Sequence, residues 1–130
     1  MFGIGKSNKK KVLLVEDDAL LVTVLEKQLK EEGYIAEKVG NGLEVITTAH
    51  KFKPNLILLD LVLPGLDGFE ILRQLKEDDE LSTVPVVVLS NLDKEGDVKS
   101  TIALGAKEHI VKVKTKLGDV IGAVKRNIKD

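Results

Sequence analysis

An aspartate, Asp60, directly follows the apolar run Leu56–Leu59 in this chain of 130 residues. Four consecutive large apolar residues predict a strand that is buried on both faces, as in a parallel sheet. Asp60 would then lie at the carboxyl end of that strand, which is the edge of a parallel sheet where ligand-binding and catalytic groups collect. We therefore take Asp60 as the first candidate for a functional carboxylate.

A second group of acids, Glu16-Asp17-Asp18, follows another predicted strand at 11–15. If the two strands belong to one parallel sheet, their carboxyl ends face the same edge, and three or four carboxylates meet there. Carboxylates this close repel one another unless a cation lies between them. Asp18 directly precedes a helical pattern, so we predict that it caps that helix.

The elements that must position these acids alternate along the chain. Runs of apolar and β-branched residues predict strands, and apolar residues three and four positions apart predict amphipathic helices. Five strands and five helices with short connections predict one α/β domain with a parallel sheet and right-handed crossovers. The predicted strands are 11–15, 34–39, 55–59, 84–89 and 108–113, and the predicted helices are 19–32, 43–52, 69–77, 93–104 and 115–128.

Composition narrows the classes of function. The chain has 20 basic and 21 acidic residues, a formal net charge of -1 and no cysteine. Balanced charge argues against nucleic-acid or anionic-membrane binding, and the lack of cysteine excludes disulfides and thiolate sites. We expect residues 1–10 to be a flexible basic tail and residues 11–130 to be the domain. No apolar stretch has the length of a signal peptide or a membrane span, so we expect a cytoplasmic protein.

Four motifs, taken together, resemble the receiver domain of response regulators in two-component signalling, and the resemblance runs from about residue 9 to residue 128. Within this family, the chain most resembles the stand-alone, single-domain type found among chemotaxis and phosphorelay regulators. The resemblance implies a flavodoxin-like (βα)5 doubly wound sandwich with a five-stranded parallel sheet in the order 2-1-3-4-5. The motifs are Glu16-Asp17, Asp60 with Pro64-Gly65-Leu66-Asp67-Gly68, Leu89-Ser90, and Gly105-Ala106 with Val111-Lys112.

The resemblance also implies a role for each matching residue. Asp60 would accept a phosphoryl group, and Lys112 and Ser90 would contact that group. Mg²⁺, or Mn²⁺ in its place, would be bound by Asp17, Asp60 and the backbone carbonyl of Val62, with Glu16 acting through a water. The chemistry is self-consistent, because a carboxylate can form an acyl phosphate when a divalent cation and a fixed ammonium neutralise the phosphoryl oxygens.

Three residues depart from the family's usual pattern. Val113 replaces a proline that follows the lysine, and we expect the bond before it to be trans, because a cis bond before valine is far more costly than one before proline. His109 replaces a tyrosine or phenylalanine that turns inward as Ser90 moves, so we include both residues in the predicted switch. Asn91 replaces a common alanine, and we expect it to slow self-dephosphorylation by obstructing water.

These residues favour one function, a phosphorylation-activated switch that receives its phosphoryl group from a histidine kinase or a histidine phosphotransfer protein and then acts on a downstream target protein. It would not be an enzyme beyond catalysing its own phosphoryl transfer and slow self-dephosphorylation. The alternative is a phosphorylation-independent docking module of the same fold. A phosphatase would need an acid where Val62 stands, and a dinucleotide site would need glycines in place of Glu16-Asp17-Asp18.

Overall fold

The computed structural model describes residues 9–129 and contains one sheet of five parallel strands in the order β2-β1-β3-β4-β5. This confirms the predicted flavodoxin-like order. The predicted tail at 1–10 lies mostly outside the described residues. The strands are β1 (Lys11–Val15), β2 (Ile35–Val39), β3 (Leu56–Leu59), β4 (Val86–Ser90) and β5 (Glu108–Val111), and the helices are α1 (Ala19–Glu31), α2 (Val45–Phe52), α3 (Gly68–Glu77), α4 (Glu95–Ala103) and α5 (Leu117–Asn127).

The sheet separates two apolar cores. Side chains alternate along β1, so that Leu13 and Val15 face one core while Val12 and Leu14 face the other. Helices α2 and α3 cover the first core, and α1 and α5 cover the second. The central strand β3 is fully buried over its whole length, as the apolar run before Asp60 predicted. The described residues include no helix that is both long and apolar enough to cross a membrane.

Helix α1 begins at Ala19, as predicted, and ends at Glu31, one residue before the predicted end. The Asp18 side chain accepts hydrogen bonds from the backbone N–H groups of Leu20 and Leu21, which confirms its capping role. Gly33 follows the helix with φ of +92°, a conformation that glycine adopts without strain. The buried face of α1 carries Val22, Leu25 and Leu29, whereas Val24 is 39% exposed.

Two strand boundaries differ from the prediction by two residues, and three others differ by one residue. Strand β4 begins at Val86 rather than at residue 84, because Pro85 has no N–H to donate to a neighbouring strand. Strand β5 ends at Val111 rather than Val113, because Lys112–Lys114 form a turn of 3₁₀ helix. The shorter strand matters for the site, since it places Lys112 at the first residue of a turn.

On the side of the sheet where the strands begin, His50 joins the end of α2 to the segment after α3. Its Nε2 lies 2.7 Å from Asp78 Oδ2, and its Nδ1 lies 3.1 Å from Glu80 Oε2. Both partners are carboxylates, so the doubly protonated ring satisfies both contacts. The hydrogen bonds to Glu80 and to Asp78 raise the pKa of His50 above its usual value.

This pair of contacts predicts a pH-dependent contribution to stability. Because the folded-state pKa of His50 is raised, its contribution is complete below the unfolded value of about 6.5 and is lost as pH rises through the folded value. We expect His50→Gln to lower the urea midpoint at about pH 6 and to have less effect at about pH 9. Glu80→Gln should weaken the same pH dependence, whereas an equal effect of His50→Gln at both pH values would contradict the ion-pair explanation.

Candidate functional site

Asp60 lies where β3 leaves the sheet and is 6% exposed. Its backbone N–H donates to the Val15 carbonyl at 2.9 Å, which fixes the end of β3 against the end of β1. The backbone N–H of Val62 donates to Asp60 Oδ1 at 3.1 Å, so the loop after β3 turns around this carboxylate. Backbone contacts on both sides therefore fix the position of Asp60.

Glu16 and Asp17 approach Asp60 from the end of β1. Glu16 is 5% exposed, its N–H donates to the Val39 carbonyl at 3.0 Å, and its Oε2 accepts the N–H of Asp18 at 3.1 Å. Asp17 is exposed. One carboxylate oxygen from each of Glu16, Asp17 and Asp60 lies within 4.8 Å of the others. The structure thus brings together the carboxylates whose convergence the parallel strands predicted.

Lys112 is the cation of this cluster. Its Nζ lies 2.7 Å from Glu16 Oε1 and 3.0 Å from Asp60 Oδ2, and its side chain is 19% exposed. Burial raises the pKa of Glu16, against the opposing effect of its hydrogen bond with Lys112. Burial also lowers the pKa of Lys112, but its hydrogen bonds to Glu16 and Asp60 outweigh this and raise it overall. The ammonium therefore stays charged between two buried acids.

The donor set fits a hard divalent cation. Three carboxylates and one ammonium leave a formal charge of about -2 in the cluster, which one divalent ion neutralises. All available ligand atoms are oxygens, as Mg²⁺ prefers, and the open cleft beside them leaves space for the waters that Mg²⁺ retains. Val62 lines the same cleft, so its carbonyl remains a predicted ligand.

The two predicted switch residues occupy neighbouring strands. Ser90 is fully buried at the end of β4, and its Oγ is 3.4 Å from the N–H of Leu92. His109 is half-buried on β5, and its Nε2 donates to the Leu92 carbonyl oxygen at 2.7 Å. The loop after β4 therefore contacts both residues, which makes Leu92 the structural link between Ser90 and His109.

Thr101 is a buried partner of His109 that the sequence did not indicate. Thr101 Oγ1 lies 2.8 Å from His109 Nδ1 and 3.0 Å from the Val98 carbonyl oxygen. Its single hydroxyl hydrogen can be donated to one of them at a time. Thr101 therefore links His109 on β5 to the backbone of α4.

Asn91 has a partner that its sequence position did not reveal. Its Oδ1 accepts the backbone N–H of Val113 at 3.2 Å, so it joins the loop after β4 to the turn that carries Lys112. Within residues 9–129 no peptide bond is cis, and the bond before Val113 is therefore trans, as expected. Asn91 also lines the cleft next to Asp60, and its predicted effect on water access remains a prediction.

Known sequences place most of this chain in one protein family. The family described as the response regulator receiver domain matches residues 12–124. The DNA-binding response regulator MtrA of Mycobacterium tuberculosis is 36% identical over 104 residues, which are 80% of this chain and 44% of MtrA. The chain thus spans less than half the length of this relative. Protein PilH of Pseudomonas aeruginosa is 33% identical over 102 residues, which are 78% of this chain and 84% of PilH.

Solved structures agree in fold, and among them are two that contain a divalent metal ion. The receiver domain of the sensor histidine kinase PA1611 of Pseudomonas aeruginosa, solved with a magnesium ion in its active-site cleft, superposes with a TM-score of 0.81 at 27% identity, covering 92% of this chain and 97% of the other. The Mn²⁺-bound form of response regulator Rcp1 gives a TM-score of 0.79 at 29% identity, covering 89% and 91%. Together with the acidic cluster and the strand order, these matches show that the chain belongs to the family of response regulator receiver domains.

Proposed function

We propose that this receiver domain accepts a phosphoryl group on Asp60 and that the modified domain presents a changed surface to a downstream target protein. The observation that carries the proposal is the convergence at Asp60 of one ammonium group, Lys112, and two further acids, Glu16 and Asp17, at the mouth of an open cleft. The phosphoryl donor would be a histidine kinase or a histidine phosphotransfer protein.

The chain's own residues supply the positioning for this transfer. An Asp60 oxygen attacks phosphorus, the bond from phosphorus to the donor breaks, and an acyl phosphate forms on Asp60. Lys112 already contacts Asp60 Oδ2 and would pair with a phosphoryl oxygen. Mg²⁺ held by Asp17, Asp60, the Val62 carbonyl and, through water, Glu16 would neutralise charge on the transferring group.

The same site argues for a switch rather than an enzyme of many turnovers. Two residues after Asp60 stands Val62, which has no proton to give to a leaving group. The domain would therefore catalyse its own modification and its slow reversal. We expect Ser90, already at the end of β4, to move toward the phosphoryl group and to carry the loop at Leu92 with it.

The region expected to change is weakly anchored. In α4, all of whose residues are described, Thr101 is the single buried side chain, and every residue of β5 is half-buried. Elements with few buried contacts open at low free-energy cost. His109 connects β5 to α4 and to the loop after β4, so movement of Ser90 can reach the face formed by α4, β5 and α5.

The proposal is tested by the intact mass of the protein after incubation with acetyl phosphate and Mg²⁺. We expect the gain of one phosphoryl group, its loss on treatment with hydroxylamine, and no gain with EDTA or in Asp60→Asn. Asp67→Asn is the matched control, because Asp67 is an acid of the same loop whose capping oxygen is retained in asparagine. If neither acetyl phosphate nor phosphoramidate modifies the wild-type chain, the phosphorylation-independent docking function is favoured instead.

A further inference from the structure

Two polar contacts join the loop that follows Ser90 to the turn that carries Lys112. The first is the hydrogen bond from the Val113 N–H to Asn91 Oδ1 at 3.2 Å. The second is an ion pair of 3.4 Å between Lys114 and Asp93. Both side chains of the ion pair are largely exposed, so solvent and salt screen it. The Asn91 contact is the directional one, because it binds a backbone group next to Lys112.

The hydrogen bond depends on the identities of both of its residues. Val113 has a backbone N–H, which a proline at this position would lack. Asn91 has a side-chain oxygen that reaches this N–H, which an alanine would lack. Asn91 and Val113, two residues that depart from the family's usual pattern, are therefore partners in one contact.

The contact acts on the backbone from which Lys112 extends. Ser90 pairs with Val111 at the end of the β4–β5 ladder, so Asn91 and Lys112 are the next residue on each side. Beyond that point the ladder offers no further hydrogen bonds, and the turn is closed by the Thr115 N–H and the Lys112 carbonyl at 3.3 Å. The Asn91 side chain therefore extends the connection between β4 and β5 by one position.

We propose that Asn91 is a positioning residue for phosphoryl transfer, acting through the Val113 N–H to hold the Lys112–Lys114 turn so that the Lys112 ammonium reaches the group on Asp60. This inference rests on the proposed function and adds a residue to it. A lysine side chain has many rotamers, so the place of its backbone determines how often the ammonium reaches Asp60. Asn91 would thus act on the position of Lys112 in addition to its predicted effect on the access of water to the acyl phosphate.

The test compares Asn91→Ala with the wild-type chain in three measurements: the initial rate of phosphorylation by acetyl phosphate with Mg²⁺, the Mg²⁺ affinity, and the melting temperature. We expect the rate to fall about 3- to 10-fold, as for the loss of one hydrogen bond. The Mg²⁺ affinity should stay within about twofold, because Asn91 is not among the predicted ligands. The exposed contact predicts a small change in melting temperature.

Two further variants separate positioning from other roles. In a Lys112→Met background, Asn91→Ala should have no additional effect on the rate, because its effect operates through the Lys112 ammonium. Asp93→Asn, which removes the other contact between the two loops, should leave the rate near that of the wild-type chain. These two results would support Asn91 as the residue that positions Lys112.

The contrary outcomes are distinct. If the wild-type chain is phosphorylated and Asn91→Ala reacts at the same rate, the positioning role is wrong while the proposed function stands. If Asn91→Ala lowers the rate equally with and without Lys112, Asn91 acts on the phosphoryl group directly and the inference is overturned. If the wild-type chain gains no phosphoryl group from any donor, the proposed function fails and this inference fails with it.

Discussion

Asp60→Asn is expected to raise the melting temperature of the metal-free domain. In the wild-type chain Asp60 is 6% exposed, repelled by Glu16 and Asp17 and attracted by Lys112. Removing its charge deletes two repulsive pairs and one attractive pair. The two repulsions act over distances of up to 4.8 Å and the attraction acts over 3.0 Å, so the net repulsion is smaller than one repulsive pair and is worth about 1 to 2 kcal/mol at the effective dielectric constant of a protein. For a domain of this size that corresponds to roughly 3 to 8 °C.

Lys112→Met provides the opposite change in the same cluster. It leaves Glu16 and Asp60 buried without their ammonium partner, so we expect a lower melting temperature in the absence of metal. Mg²⁺ should raise the melting temperature of the wild-type chain more than that of Asp60→Asn. A ligand stabilises the folded state more when it binds that state more tightly, and Asp60→Asn lacks one of the predicted Mg²⁺ ligands. Thermal unfolding with EDTA and with Mg²⁺ measures all three effects. A lower melting temperature for metal-free Asp60→Asn would show that the carboxylates are not in net repulsion.

The pattern of apolar residues is sufficient to predict the helices and strands that pack into the core. Leu56–Leu59 is a strand buried on both faces, as its four-residue apolar run predicted. The end of β5 was placed too late, because Val113 has a strand-forming side chain and yet lies in the Lys112–Lys114 turn with 76% of its surface exposed. There the contacts of neighbouring loops outweigh intrinsic propensity, and these contacts are not periodic in sequence.

The sequence also predicts which acids meet at the site, but it does not predict the contacts that support them. Parallel strands place Glu16, Asp17 and Asp60 at one edge regardless of detail. The bonds of Asn91 to Val113 and of His109 to Thr101 join residues 22 and 8 positions apart along irregular loops and a helix end. Spacing alone cannot indicate such pairs, so a single sequence identifies the charged groups of the site before it identifies the contacts that hold them.

Gly68→Ala is expected to damage both the fold and the site. Gly68 is the first residue of α3, and its N–H donates to the Leu61 carbonyl at 3.0 Å. A Cβ atom added at Gly68 would lie 2.3 Å from Leu61 Cα and 2.7 Å from Leu61 O. These are backbone atoms of the residue next to Asp60, so either α3 or the end of β3 must shift. Such overpacking costs about 1 to 3 kcal/mol and should also lower the phosphorylation rate.

Gly118→Ala is the matched control, since Gly118 lies near the start of α5 and an added Cβ there meets no atom within 4 Å. Alanine at an open helical position loses less conformational entropy on folding, so this variant should gain about 0.5 to 1 kcal/mol in free energy of unfolding and keep the wild-type phosphorylation rate. Urea unfolding and the acetyl phosphate assay distinguish the two glycines. If Gly68→Ala were as stable and as reactive as Gly118→Ala, the close contact between α3 and Leu61 would not constrain Asp60. A loss of rate in Gly68→Ala beyond its loss of folded protein would show that this contact sets the position of Asp60.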